Sequence, residues 1–214
     1  MVWIYRSNSI LHDTLKGDNK MFKKENEIIK MTSELFNKLS EKQEVLDSKV
    51  RELKGIDSDQ WLEDLQINHI ISLRGEVGEF INEARDLWKY WKDKEPELDK
   101  LIDEAVDIIH FIHLLLNKNE IDNFTYLNAI NQRIEHYRNL TVRGQNQTTF
   151  KQVPRDYRKY LNEMYNVESI EGLINCYAIL LVVLAHYNFK LEDIEKAYDK
   201  KNDENHKRQE SGTY

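Results

Sequence analysis

Two pairs of acids carry the most chemically pointed spacing in the sequence: Glu76 and Glu79 in EVGE, and Glu104 and Asp107 in EAVD. Residues three apart on a helix share a face. Two such helices side by side would bring four carboxylates to one seam. Like charges so close need a counter-charge, and a hard divalent cation such as Mg²⁺, which takes oxygen ligands and keeps several waters, is a natural one. The chain's acidity is concentrated in this stretch. Residues 76–107 hold 11 acids and 5 bases, or −6 of a total net charge of −7.

Angular position separates this arrangement from an ordinary solvated face. At about 100° per residue, with Glu104 at 0°, Ile108 falls near 40°, Leu101 near 60°, Ile112 near 80° and Phe111 near 340°. Glu104 therefore lies inside the apolar arc of its helix, and Asp107, near 300°, lies at its border. A buried carboxylate must be protonated, hydrogen-bonded or coordinated. On the other helix, Leu73, Val77, Phe80, Ala84 and Leu87 form the apolar arc, with Glu76 and Glu83 at one edge and Glu79 and Asp86 next outward. Two readings follow from the residues alone. One is a metal site. The other is a salt-bridge network using Arg74, Arg85 and Lys89. Gly78, inside the acidic motif, lowers helix propensity by about 1 kcal/mol relative to Ala, and would admit a close neighbour.

The elements that must position these acids read as helices. Seven Gly and two Pro in 214 residues are too few for the many turns of a β-sandwich or barrel. Helices are expected over about 23–53, 61–91, 98–117, 124–140, 157–165, 170–186 and 191–209, with Ser58 or Asp59 capping the second. The stretch 141–156 reads as a long loop. The run CYAILLVVLA, Cys176 to Ala185, is too short to span a bilayer and reads as a buried helix. The fold class is thus all-α, a helical bundle over 21–214 with an N-terminal appendage over 1–20. One cysteine excludes an internal disulfide or a cysteine-based zinc cluster, and the first residues do not read as a signal peptide. A soluble cytoplasmic protein is expected. The acidic balance gives no global footprint for nucleic acid.

These residues resemble the signature of the all-α NTP pyrophosphatases, a superfamily that includes MazG proteins, dCTP pyrophosphatases and dimeric dUTPases. EVGEFINEARDLWKYWK looks like the dimeric dUTPase form of the first acidic helix, running into the cluster Trp88 to Lys92. DEAVDIIHFIHLL resembles the second, with His110 and Phe111 after the aspartate. AYDKKNDENHKRQESGTY resembles the late motif, with Lys201, Asn205, Arg208, Gln209 and Gly212. KQEVLD places Gln43 and Asp47 near the early substrate-contact motif, with Asp47 where some relatives carry Asn. The middle, about 118–172, matches poorly.

The resemblance implies Mg²⁺-dependent hydrolysis of dUTP to dUMP and pyrophosphate, with Mn²⁺ as a substitute metal. Glu76, Glu79, Glu104 and Asp107 would bind metal, and Glu79 would also orient or deprotonate the water. Gln43, Asp47, Lys89, Trp91, Lys201, Asn205 and Arg208 would contact the nucleotide. It also implies a homodimer, with no nucleic-acid or membrane partner. A MazG-like enzyme acting on dCTP or other nucleotides is the nearest alternative, and a non-catalytic helical interaction protein is an alternative of another class. Taken singly, Trp88 and Trp91 read as packing, His110 and His113 as ordinary core or surface histidines, and Cys176 as a small buried hydrophobe.

Overall fold

Helix α3, Leu98–Asn117, is the axis on which the functional face is built. Its apolar residues Leu101, Ala105, Ile108, Ile109 and Ile112 are fully buried. It packs against four other helices: α1 (Ser33–Lys54), α2 (Gln66–Glu83), α6 (Ile170–His186) and α7 (Leu191–Ser211). Two further helices, α4 (Asn123–Arg138) and α5 (Tyr157–Glu163), pack on α6. These positions come from a computed structural model that describes residues 28–138, 141–143, 150–152 and 156–211. The expected appendage over 1–20 and Gly212 of the tail motif lie outside the described residues.

The all-α expectation holds for all seven helices, with one addition. Within the stretch expected to be a loop, Thr141–Arg143 (β1) and Phe150–Gln152 (β2) form an antiparallel pair in which Val142 faces Lys151. Helix α6 has the expected bounds, and every residue from Cys176 to Ala185 is buried. Ser169 Oγ caps it by accepting the Gly172 N–H at 3.1 Å. Burial raises the Cys176 thiol to about 12, consistent with an inert apolar side chain. Among the described residues, no single helix is long and apolar enough to cross a membrane.

Several boundaries differ from the sequence reading, each for a local reason. Helix α1 starts at Ser33, where Thr32 Oγ1 accepts the Leu35 N–H at 3.2 Å and closes the first turn, so residues 28–32 are not helical; the expected start near Lys23 lies outside the described residues. It ends at Gly55, whose φ of 65° suits the left-handed cap, while the Ile56 N–H reaches Arg51 O at 2.9 Å. The residue that caps the next segment is Asp57, whose Oδ1 accepts the Gln60 N–H at 2.8 Å, not Ser58 or Asp59. A π-helical turn, Gln60–Asp64, then precedes α2.

Helix α2 stops at Glu83 instead of continuing to Trp91. Side-chain donors take its last carbonyls: Trp88 Nε1 donates to Ile81 O at 2.9 Å, and Arg85 Nε to Asn82 O at 3.2 Å. A short 3₁₀ turn, Arg85–Leu87, follows. A Cβ on Gly78 would meet only the Tyr165 hydroxyl, at 3.6 Å, so alanine fits there and no close backbone approach depends on this glycine.

Candidate active site

The acidic site forms on the contact between α2 and α3. Glu76 and Glu79 come from one turn of α2, flanking buried Val77 and Phe80, and Glu104 comes from α3 beside buried Leu101 and Ala105. The helices are held together by those apolar neighbours, so the carboxylates at the border are carried to one place by packing. One oxygen from each of Glu76, Glu79 and Glu104 lies within 4.8 Å of the others. Glu76 and Glu104 are half-buried and Glu79 is exposed.

The bases that could have neutralised this trio point elsewhere. Arg74 pairs with Glu168 at 2.7 Å, Arg85 with Glu83, and Lys89 donates to Asn82 Oδ1 at 2.6 Å. Asp86 at the outer edge accepts from the Tyr187 hydroxyl at 2.6 Å. The salt-bridge reading therefore applies to Glu83 but not to the trio, which has no ion pair among the described residues. Burial, followed by the charges of Asp107, Glu79 and Glu104, raises the Glu76 carboxyl to about 7. Burial, followed by the charges of Glu79 and Asp107, also raises Glu104. Glu76 and Glu104, both of raised proton affinity, form with Glu79 an oxygen-only donor set that suits a hard divalent cation.

Asp107, the fourth acid, stands apart. Its Oδ2 is ion-paired with Lys201 Nζ, and both groups are mostly buried. This pair joins the acidic seam to a neighbouring cleft of about 350 Å³ between α1, α3 and α7. Gln43, Asp47, Glu76, Asp107, Lys201, Asn205 and Arg208 all line it, together with Phe111 and Leu114. Helical spacing explains the α7 contribution: Ile194, Tyr198 and Asn202 are buried under the helix, and Lys201, Asn205 and Arg208 follow along the adjacent stripe. A larger cavity, about 470 Å³, lies around Trp61 and Lys118. The Lys118 ammonium there is already bonded to Trp61 O, Gln66 Oε1 and His69 Nδ1, and the acids lining the cavity are Glu41 and Glu44, the latter paired with Arg51.

A model of the dUTPase family matches residues 35–213. The chain belongs to the dUTPase family. It is therefore a hydrolase acting on the triphosphate of dUTP, and the nucleotide is its substrate class. No curated protein sequence gives a significant match. The match spans α1 to α7 and so includes both acidic motifs, the early Gln43 and Asp47 segment and the late motif as far as residue 213.

Two of the expected nucleotide contacts are not gathered with the rest. Lys89 Nζ sits 4.8 Å from the Trp88 ring centroid, and Trp91 is 62% exposed, edge-on to Trp88 and Tyr90. Neither lines the cleft. Conversely, His110 does line it, although its residue type alone favoured an ordinary core role. It is buried, neutral and bonded through Nδ1 to Gln43 Oε1 at 2.7 Å. Two signals in the sequence pointed to it: its place in the second acidic motif after the aspartate, and its position three residues after Asp107 on the same face of α3.

Proposed function

We propose that the chain is a Mg²⁺-dependent dUTP diphosphatase that releases dUMP and pyrophosphate. The observation that carries this reading is the unpaired trio Glu76, Glu79 and Glu104 beside a cleft whose other wall carries Lys201, Asn205 and Arg208. A divalent cation held by the trio and Asp107 would offset the triphosphate's charge and polarise a phosphoryl oxygen.

The chain's own groups supply the rest. Glu79, the exposed member of the trio, orients the attacking water and accepts its proton as the new P–O bond forms and the phosphoanhydride P–O bond breaks. Glu76 and Glu104 hold their oxygens within reach of the same point. Lys201 changes partner, from Asp107 to a phosphate oxygen, and the Arg208 guanidinium offers a planar fork to another. Asn205 has both a donor and an acceptor for the sugar. Gln43 and Asp47, deeper in the cleft with apolar Phe111 and Leu114, hold the base.

A homodimer is part of this proposal. Ile67 and Ile71, one turn apart on α2, are 56% and 61% exposed and form an apolar stripe suited to a second copy. Lys89 and Trp91 then serve the nucleotide from the lip of a site completed by that copy.

The test is pyrophosphate release from each common nucleotide in Mg²⁺. Preferential turnover of dUTP supports the assignment. Comparable rates for all of them would overturn it, and a preference for dCTP would favour a MazG-like specificity.

A further inference from the structure

Asp47 is a carboxyl without a paired cation on the α1 wall of the cleft. It is 4% exposed and lines the cleft beside Gln43, Leu46 and Val50. Gln43 Nε2 donates to its Oδ1 at 2.7 Å, the one hydrogen bond its side chain makes among the described residues. The nearby cations are committed elsewhere. Arg51, one turn further along α1, pairs with Glu44 at 2.6 Å and donates to Ser48 Oγ at 2.8 Å. Lys118, just past α3, directs its ammonium to Trp61 O, Gln66 Oε1 and His69 Nδ1. Lys201 of α7 is paired with Asp107 of α3. Arg208 of α7 and Glu76 of α2 line the same cleft. His110 of α3 and Tyr198 of α7 stand on the far side of the Gln43 amide, and burial keeps both uncharged at neutral pH.

A buried carboxyl whose only partner is a neutral amide is costly to ionise. Burial raises Asp47 to about 7, against the Gln43 hydrogen bond, with Glu44 adding to the rise and Arg51 and Lys118 opposing it. Below that value the group carries a proton. A carbonyl oxygen accepts better than a hydroxyl, so with Oδ1 accepting from Gln43 the proton belongs on Oδ2, and Asp47 brings an O–H donor to the cleft.

A nucleoside triphosphate is a polyanion whose pyrimidine base carries carbonyl oxygens. A neutral Asp47 donates to such an oxygen and adds no charge. An ionised Asp47 loses the donor, turns lone pairs toward the same oxygen, and adds a negative charge to a cleft that already holds Glu76 and Asp107. A base laid over Asp47 removes its remaining water and raises its proton affinity further. Protonation and nucleotide binding therefore favour each other. A carbonyl acceptor is common to uracil and cytosine, so this contact sets affinity and its pH range, and the choice of base falls to other groups.

We propose that Asp47 binds the nucleotide as a neutral carboxylic acid, donating a hydrogen bond to a carbonyl oxygen of the base, and that its ionisation turns nucleotide affinity down in alkaline solution. This rests on the dUTP diphosphatase reading above. Affinity is full below the folded-state value and is lost as pH rises through about 7, because the competent fraction of the protein follows the protonated fraction of Asp47.

The experiment compares KM for dUTP in saturating Mg²⁺ at about pH 6 and about pH 8.5, in the wild type and in Asp47→Asn. Asparagine keeps a donor and an acceptor and cannot ionise. The wild-type KM is expected to rise by about tenfold or more over that interval, and the variant's by several-fold less. Titration of the substrate phosphates and of Glu76 is common to both proteins, so the difference between the two rises isolates Asp47. A purely structural role would shift the variant's KM by the same factor at both pH values, so equal rises overturn the proposal. Carboxyl ¹³C spectra, with the Asp47 signal assigned by its absence from Asp47→Asn, give a second reading on the wild type itself. A midpoint near 7 that moves higher with α,β-imido-dUTP bound is expected, and a midpoint that the analogue leaves unmoved or lowers overturns the proposal. A wild type that turns over no dUTP at any pH overturns the underlying reading instead.

Discussion

Two sets of acids on this bundle are treated in opposite ways. On the seam between α1 and α7, Glu195 and Asp199 meet Lys38 at 2.7 and 2.9 Å, and Asp199 also meets Lys42 at 2.7 Å. Burial opposes ionisation of Asp199, but the two lysines outweigh it and hold the carboxyl below its usual value. On the seam between α2 and α3, Glu76, Glu79 and Glu104 crowd together with no ion pair among the described residues; Lys201, paired with Asp107, offsets them only in part, and Glu76 is driven up to about 7. A chain that balances its charge at one seam and leaves it unbalanced at another separates structure from function. The first set ties two helices; the second, in the proposed reading, would receive a charge that comes from outside.

The comparison breaks most readily at the unbalanced seam. Glu79→Gln and Asp107→Asn are each expected to cut dUTP turnover by on the order of 10³-fold, measured as pyrophosphate release, with helical content unchanged by circular dichroism. Metal-free Glu79→Gln should melt no lower than the wild type, since it removes a like charge from the trio. Wild-type turnover in either variant would remove the distinction between the two seams.

Lys201 joins the unbalanced seam to the cleft, so its loss should show in both. Lys201→Met is expected to raise KM for dUTP by about tenfold or more, with a smaller effect on kcat. An unchanged KM would make Lys201 a structural partner of Asp107 only.

Asp47 sharpens the comparison by pH. Burial raises its carboxyl from 3.8 to about 7. A raised folded-state value favours the protonated form, so the contribution to stability is present below the unfolded value and is lost as pH climbs from 3.8 to about 7. Asp47→Asn removes the buried charge. It should therefore stabilise the fold by on the order of 2 kcal/mol at pH 8 and by little near pH 4, read from denaturant midpoints at each pH. A benefit that does not grow with pH would show that Asp47 is not held against ionisation.

The smallest effect belongs to the balanced seam. Lys38→Ala should cost at most about 1 kcal/mol, weakening further in high salt, and leave turnover intact. A large loss of activity would place functional weight on α1 and α7 where the structure shows only pairing.

Much of this arrangement was legible in the sequence, because its signals are local. The apolar arc of α3 put Glu104 inside it and Asp107 at its border, and both are half-buried, while the unbroken run in α6 marked a buried helix. Early termination of α2 was not legible. No glycine or proline sits at Glu83 or Ala84, and the stop depends on Trp88 and Arg85 folding back onto carbonyls one or two turns earlier. That same stop removes Lys89 and Trp91 from the acidic helix, a consequence no periodicity shows. The Asp107–Lys201 pair and the His110–Gln43 bond join residues 94 and 67 positions apart, so spacing along one helix carries no trace of them. The fates of Arg74 and Lys89 likewise required knowing where α2 ends and what lies beside it.

The most direct measurement is product analysis of dUTP hydrolysis by the purified chain, with Mg²⁺ and then with the metal chelated. The unpaired carboxylate trio predicts dUMP and pyrophosphate in equal amounts with Mg²⁺ and essentially none after chelation. Undiminished hydrolysis without a divalent cation, or dUDP and phosphate as products, would contradict it.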